Sequence, residues 1–157
     1  MADFSARPVW MIFPKISIEA NPEHAPEKEI ISGEFGISNT FDYDEKEQEL
    51  HANISFKSED HPHYNPEYNI HLNLYAVFKL SKNFHEISTP NAKELTLDIA
   101  NALLGSLREM VTMLTSRGPW GAYVLPFIDA EILASNLAKS ISPKSKTAKR
   151  KKKLENQ

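Results

Sequence analysis

The residues with the most obvious chemistry are two histidines separated by one proline, His61 and His63, which follow Asp60. Imidazole and carboxylate groups are common metal ligands, but a structural site needs about four of them. The surrounding sequence offers no further clustered ligand, and its prolines and asparagine are typical of a turn. We therefore predict no metal site and interpret both histidines as solvated side chains.

Familiar catalytic motifs are also missing from the sequence. It has no G-x-S-x-G, phosphate-binding loop, H-E-x-x-H or dinucleotide fingerprint. Its acids crowd into Glu23–Glu34 and Asp42–Glu49, which is more typical of solvated turns than of a catalytic pair. With no cysteine, the chain has no thiol nucleophile and no disulfide. We predict that the protein is not an enzyme and needs no cofactor.

Charge is distributed unevenly along the 157 residues, which carry 18 basic and 21 acidic side chains and a net charge of −3. Residues 139–157 hold eight basic residues and one acid, a net charge of +7, so the remaining residues carry −10. Pro143–Gln157 has one large apolar residue, Leu154, and cannot bury enough surface to offset the entropy of ordering. We predict one domain over residues 1–142 and a disordered basic tail over 143–157.

Composition also bears on cellular location and on nucleic-acid binding. Phosphate contacts by the tail would be salt-sensitive and independent of sequence, and the acidic body would oppose them, so nucleic-acid binding is kept only as a third alternative. No apolar run approaches the ~18 residues of a membrane-spanning helix. The N-terminus lacks the basic and apolar regions of a secretory signal. These features predict a soluble, cytoplasmic protein without membrane insertion.

Alternation of apolar and polar residues predicts four strands that each bury one face. The clearest are Leu50–Phe56 and Tyr68–Leu80, which the turn-rich segment between them joins into an antiparallel hairpin. An earlier strand covers Phe35–Tyr43, and the first covers Val9–Ile18 with an interruption at Pro14. Because proline lacks an N–H, the first strand is expected at a sheet edge or at a bend.

A three- and four-residue apolar spacing predicts a long helix that begins with a capping box at Asn91 and ends at Arg117-Gly118-Pro119. Gly105 costs about 1 kcal/mol relative to alanine in a helix, and a kink or break is expected near it. Asp129 is expected to cap a short last helix. The predicted fold class is α+β, a four-stranded antiparallel sheet with both helices on one face.

The long helix is apolar on more than one side, because Leu97 and Leu104 fall off its main stripe. A helix that is apolar on two sides usually has two partners. We expect the sheet to be one partner and a second copy of the chain to be the other.

The segment Leu103–Asp129 resembles the SecB family of export chaperones. Arg108-Glu109, followed by Ser116-Arg117-Gly118, matches the family's helix that ends in R-E and continues with S-R-G. Trp120 and the run Leu125-Pro126-Phe127-Ile128-Asp129 stand in for its aromatic L-x-P-V-N-F connection, shortened here. Lys15-Ile16-Ser17-Ile18-Glu19-Ala20-Asn21-Pro22 is similar to the family's first-strand segment. The resemblance covers about residues 8–139.

This resemblance implies an ATP-independent holdase that binds unfolded or precursor polypeptides and keeps them competent for export. It implies apolar grooves between the crossing segment Asn21–Ile31 and the last helix. The client-binding groove is then expected at Trp120, Tyr123, Leu125, Phe127, Ile132, Leu133 and Leu137. The alternative for the aromatic residues is that they belong to the core.

The resemblance also implies a homotetramer, a dimer of dimers packed partly through the long helix. Its interface is expected at Leu97, Leu104, Arg108 and Val111. Where the family docks the SecA translocase motor, it carries an acidic pair on the first strand. The matching positions here are Lys15 and Glu19, with a further contact near His71, so one acid has become a base. Two hypotheses follow: a chaperone for export, or a SecB-like chaperone dedicated to one partner, such as an antitoxin of a toxin–antitoxin system.

Overall fold

Four strands followed by two helices make up the fold. The computed structural model describes residues 4–28, 35–58, 66–125 and 128–141. The strands are β1 (Ala6–Ala20), β2 (Phe35–Asp44), β3 (Glu49–Ser58) and β4 (Tyr68–Leu80), and the helices are α1 (Thr89–Thr115) and α2 (Ala130–Ile141). The α+β prediction is confirmed. His61, His63 and the predicted tail 143–157 lie outside the described residues.

The sheet is antiparallel throughout, with the order β1-β4-β3-β2. β1 and β2 therefore form its two edges, although they are neighbours in sequence, and the segment between them crosses from one edge to the other. The pairing of β1 with β4 shifts register between Ile12 and Lys15, at Pro14. The prediction that Pro14 marks an edge or a bend is confirmed, because β1 is an edge strand.

The core lies between one face of the sheet and the two helices. Alternate residues of β3, from Leu50 to Phe56, are at most 1% exposed, and alternate residues of β4 from Tyr68 to Leu80 are likewise buried. These side chains form one cluster with the buried face of α1 and with Leu133 and Leu137 of α2. The period-2 pattern in the sequence corresponds to this single buried face.

The ends of the helices differ in part from the prediction. α1 begins at Thr89, with Ser88 as its N-cap residue and a proline in its first turn, so a start at Asn91 is wrong. Proline is favoured in the first turn because N–H groups there have no partner within the helix, so proline loses no hydrogen bond. The helix also runs without a break through Gly105. The cap of α2 is as predicted, because the Asp129 carboxylate accepts a hydrogen bond from the backbone N–H of Glu131 at 2.8 Å.

The second apolar side of α1 is covered within the same chain. α2 packs along α1, and Leu104, which falls off the main stripe, is 3% exposed. Leu104 lies beside Ile128 and Leu133 of the segment containing α2. The argument that this side needs a second copy of the chain is therefore corrected, since α2 is the partner.

Candidate functional site

The residues predicted to form the client groove divide into core and surface. Leu125 and Leu133 are 4% exposed and Leu137 is fully buried, so these three belong to the core. Ile132 is 63% exposed and stands outside it. Phe127 lies outside the described residues. Of the aliphatic residues in the prediction, Ile132 is the one that another chain can contact.

Trp120 is held between the crossing segment and the connection that follows α1. Its indole Nε1 donates a hydrogen bond to the carbonyl oxygen of Asn21 at 3.2 Å, and its ring makes an edge contact with His24 at 4.7 Å between centroids. His24 is 9% exposed, and the Asn21 side chain donates to the carbonyl oxygen of Pro66 at 2.8 Å. The contacts of Trp120 are those of a structural residue that joins two segments.

The hydroxyl of Tyr68 on β4 holds the connection after α1 through hydrogen bonds. It donates to the carbonyl oxygen of Gly121 at 2.7 Å and accepts the backbone N–H of Trp120 at 3.2 Å. Gly121 has a φ of +78°, a conformation that favours glycine. The half-buried Tyr123 is fixed nearby, because its backbone N–H donates to the hydroxyl of Thr115 at 2.8 Å. The connection after α1 is therefore ordered by hydrogen bonds, and Trp120 and Tyr123 are parts of that arrangement.

A groove runs between strand β2 and helix α2, and we call it the edge groove. Its volume is about 340 Å³. One wall is the inner face of β2, the other is the side of α2 that carries Ile132, and Leu104 lies at its base. The lining residues are Ile37, Asn39, Leu104, Ile128, Asp129, Ile132, Leu133 and Asn136. Since β2 ends the sheet, no described strand pairs with its outer edge.

A second groove lies on the opposite side of α2, and we call it the helix-pair groove. It measures about 510 Å³ and is walled by the first turns of α1, by the 3-10 turn Phe84–Glu86 and by α2. Its lining is mainly apolar, with Phe84, Ile87, Ala92, Leu97, Ala134 and Ala138 among its residues. Helical geometry separates the two grooves, because residues 132, 133 and 136 point on average about 140° away from residues 131, 135 and 138.

The residues predicted to dock the SecA motor share the face of the sheet that carries no helix. Lys15 pairs with Asn73, Ser17 with His71 and Glu19 with Asn69, all in the register of β1 against β4. Glu19 and His71 border one shallow cavity of about 230 Å³ together with Lys57. This surface mixes acid and base, so the structure groups these residues but without the negative charge of an acidic pair.

The predicted oligomer interface is placed differently by the structure. Val111 is fully buried and Leu104 nearly so, both inside one chain, and neither offers surface to a partner. Leu97 is half-buried and lines the helix-pair groove, and Arg108 is half-buried. Large exposed apolar residues occur on β1, where Val9, Trp10, Ile12 and Ile16 are 43–61% exposed, and at the end of α1, where Met113 and Leu114 are 58% and 42% exposed.

Several of the exposed and groove-lining apolar residues were not predicted as site residues from the sequence. The exposed Val124, at 67%, sits beside residues that were singled out, and Ile37 lines the edge groove from β2. Trp10 was expected only as part of a strand, yet its outward side chain pairs with Val77, which is 3% exposed on the helix-free face. The signal was present in the apolar outward positions near the end of β4.

The described residues form neither a metal-ion cluster nor a membrane-spanning helix. Within residues 4–28, 35–58, 66–125 and 128–141, no three histidine or carboxylate side chains come together in a way that could hold a metal ion. No helix in those ranges has both the length and the apolar character needed to cross a bilayer.

Comparison with known proteins gives a match in fold but none in sequence. No protein-family model matches this chain, and no curated protein matches it in sequence. The SecB-like chaperone Rv1957 of Mycobacterium tuberculosis, solved in complex with a ChAD peptide from the Rv1956 HigA1 antitoxin, is similar over 80% of this chain and 91% of that chain, with a TM-score of 0.55 and 17% identity. A protein of unknown function from Streptococcus agalactiae is similar over 80% of this chain and all of its own, at a TM-score of 0.48 and 16% identity. The first likeness shows that this chain has the fold of a SecB-like chaperone.

Proposed function

We propose that this protein is an ATP-independent holdase that binds unfolded polypeptides in the edge groove. The observation that carries the proposal is the position of Ile132, which is 63% exposed at the rim of a groove that opens beside the sheet edge β2. The fold of a SecB-like chaperone supports it, as does the peptide bound in the structure of Rv1957.

Two kinds of contact are available to an extended client at this site. Its apolar side chains can pack on Ile132, Ile37 and Leu104, and each square ångström of apolar surface removed from water contributes about 25 cal/mol. Its backbone can add to the outer edge of β2, which supplies hydrogen bonds that do not depend on the client's sequence. Neither contact involves a chemical step, so holding requires no nucleotide.

The client class is the finer part of the proposal. The first candidate is a set of precursors held for export through the Sec pathway, with delivery to SecA. The second is one dedicated partner, such as an antitoxin, and the specific observation favouring it is the antitoxin peptide held by Rv1957. Lys15, which stands where the SecB family has an acid, also makes docking of the SecA motor less favourable than in that family.

Assembly into a dimer of dimers belongs to the same proposal. Four exposed apolar residues on the edge strand β1, among them Trp10 at 61%, support self-association there rather than through Leu104 or Val111. Burying such a surface between copies removes apolar area that a monomer leaves in water.

Affinity capture followed by mass spectrometry tests the function. The bait is the full chain, and Ile132→Asp serves as the matched control bait. Many secretory precursors retained by the wild type and lost with the control indicate export, and one small partner indicates a dedicated chaperone. Equal retention of all polypeptides by both baits contradicts binding at the edge groove.

A further inference from the structure

The helix-pair groove combines an apolar lining with acidic residues at its border. Glu131 lines it and Glu86 ends the 3-10 turn at its border, against one lining lysine, Lys93. Beyond Glu86 lies the turn between β2 and β3, where residues 42–49 hold five acids and one lysine. An occupant of this groove is therefore expected to combine basic groups with apolar ones.

Tyr43 connects the acidic turn to the groove. Its hydroxyl accepts the backbone N–H of Phe84 at 3.0 Å, and its ring contacts those of Phe84 and His85. The Glu45 carboxylate accepts a hydrogen bond from the side-chain amide of Asn83 at 2.9 Å. Burial raises the pKa of the Tyr43 phenol, and the nearby carboxylates of Glu45 and Glu86 raise it further. The carboxylates of Glu45 and Glu86 therefore lie near Tyr43, where the acidic turn meets the helix-pair groove.

The described part of the chain ends beside this groove. Ala138 lines it, and Ile141, the last residue of α2, lies three residues further along. Three residues of helix advance about 4.5 Å, less than one turn. Residues 142–157 continue from that point and carry seven basic residues and one acid.

We propose that the basic segment 142–157 docks in cis on the helix-pair groove. Its lysine side chains place their ammonium groups against Glu86, Glu131 and the acidic turn, while their methylene stems cover the apolar lining. Leu154, the one large apolar residue after Ser142, fills the groove itself. Because the segment is tethered within a turn of the site, its effective concentration is on the order of millimolar, and weak individual contacts suffice.

This contact does not depend on the proposed holdase activity, because the edge groove lies on the other side of α2. Each groove has a single lining acid, Asp129 in the edge groove and Glu131 in the helix-pair groove, so the difference in charge comes from Glu86 and the acidic turn at the border of the latter. The proposal assigns the two grooves different occupants: client polypeptide on one side of α2 and the chain's own tail on the other.

Paramagnetic broadening in NMR spectra of the full chain tests the docking. The chain has no cysteine, so Asn156→Cys introduces a unique site for a nitroxide label. At about 0.1 M salt, the backbone amides of Ala92, Leu97 and Ala138 are expected to lose intensity relative to a diamagnetic label, while those of Ile37 and Asn39 on β2 keep theirs. At about 1 M salt the Debye length falls from about 10 to about 3 Å, and the loss should disappear.

Two charge variants with the same label separate docking from mere proximity. Replacing residues 149–153 by glutamine, or combining Glu86→Gln with Glu131→Gln, should each reduce the loss of intensity to the high-salt level. Equal broadening in the wild type and both variants overturns the proposal. In a mixture of isotope-labelled chains without the nitroxide and nitroxide-labelled chains without the isotope, broadening of the same amides shows a tail from another copy and overturns docking in cis. Broadening centred on Ile37 and Asn39 places the tail in the edge groove, and this also overturns the proposal.

Discussion

Trp120 donates its indole Nε1–H to the carbonyl oxygen of Asn21 across 3.2 Å, which ties the connection after α1 to the segment that leaves β1. The two residues are 99 positions apart, so the bond closes the fold over a long stretch of chain. Trp120, which was predicted from the sequence to contact clients, is thus a structural residue that joins two segments of the fold.

For Trp120 we expect substitutions to lower stability before they affect client binding. Trp120→Phe keeps a ring beside His24 but loses the donor to Asn21, which should cost about 1 kcal/mol in the free energy of unfolding. Trp120→Ala also removes most of the half-buried side chain and should cost about 2 kcal/mol or more. Urea denaturation followed by circular dichroism measures both. Unchanged stability in Trp120→Ala, together with lost client binding, would return Trp120 to the binding surface.

Alanine substitutions at two glycines should change the stability of the fold in opposite directions. A Cβ on Gly118 would lie 2.9 Å from Cε1 of Tyr68 and still closer to its hydroxyl, which is already held by three hydrogen bonds, so Gly118→Ala should destabilise the fold by about 1–3 kcal/mol. Gly105 lies inside α1 with open space around its Cα, and Gly105→Ala should stabilise it by about 1 kcal/mol. Thermal melting of the two variants in parallel distinguishes them. Shifts of melting temperature in the same direction would contradict the packing around Tyr68.

Self-association should depend on the exposed side of β1. We expect the wild type to sediment as a dimer or tetramer, and Trp10→Glu to shift the distribution toward smaller species because it places a charge in an apolar contact. Val124→Asp, which changes an equally exposed residue on the connection, serves as control and should keep the wild-type distribution. A wild type that stays monomeric at micromolar concentration rules out the proposed assembly.

The fold was predictable because each of its elements has its own periodicity. Alternation across Leu50–Phe56 and Tyr68–Leu80 identified two strands and their buried faces. Pro14 marked an edge strand through its missing N–H.

The site was less predictable, because periodicity shows that a face is apolar but not what covers it. Leu104 looked like an oligomer contact, and α2 of the same chain covers it. Leu133 and Ile132 are adjacent in sequence and equally apolar, yet one is 4% and the other 63% exposed. The difference arises from the angle at which α2 packs on α1 and β2, which a single sequence does not specify.

The central claim, that client polypeptides bind in the edge groove, rests on Ile132 more than on any other residue. The most direct measurement is the affinity of a fluorescent unfolded polypeptide for the wild type, Ile132→Asp and Val124→Asp, without nucleotide and at equal thermal stability. We predict that Ile132→Asp weakens binding about tenfold, the equivalent of about 1.4 kcal/mol, and that Val124→Asp leaves it unchanged. Equal affinities for all three proteins, or a loss confined to Val124→Asp, would contradict the account.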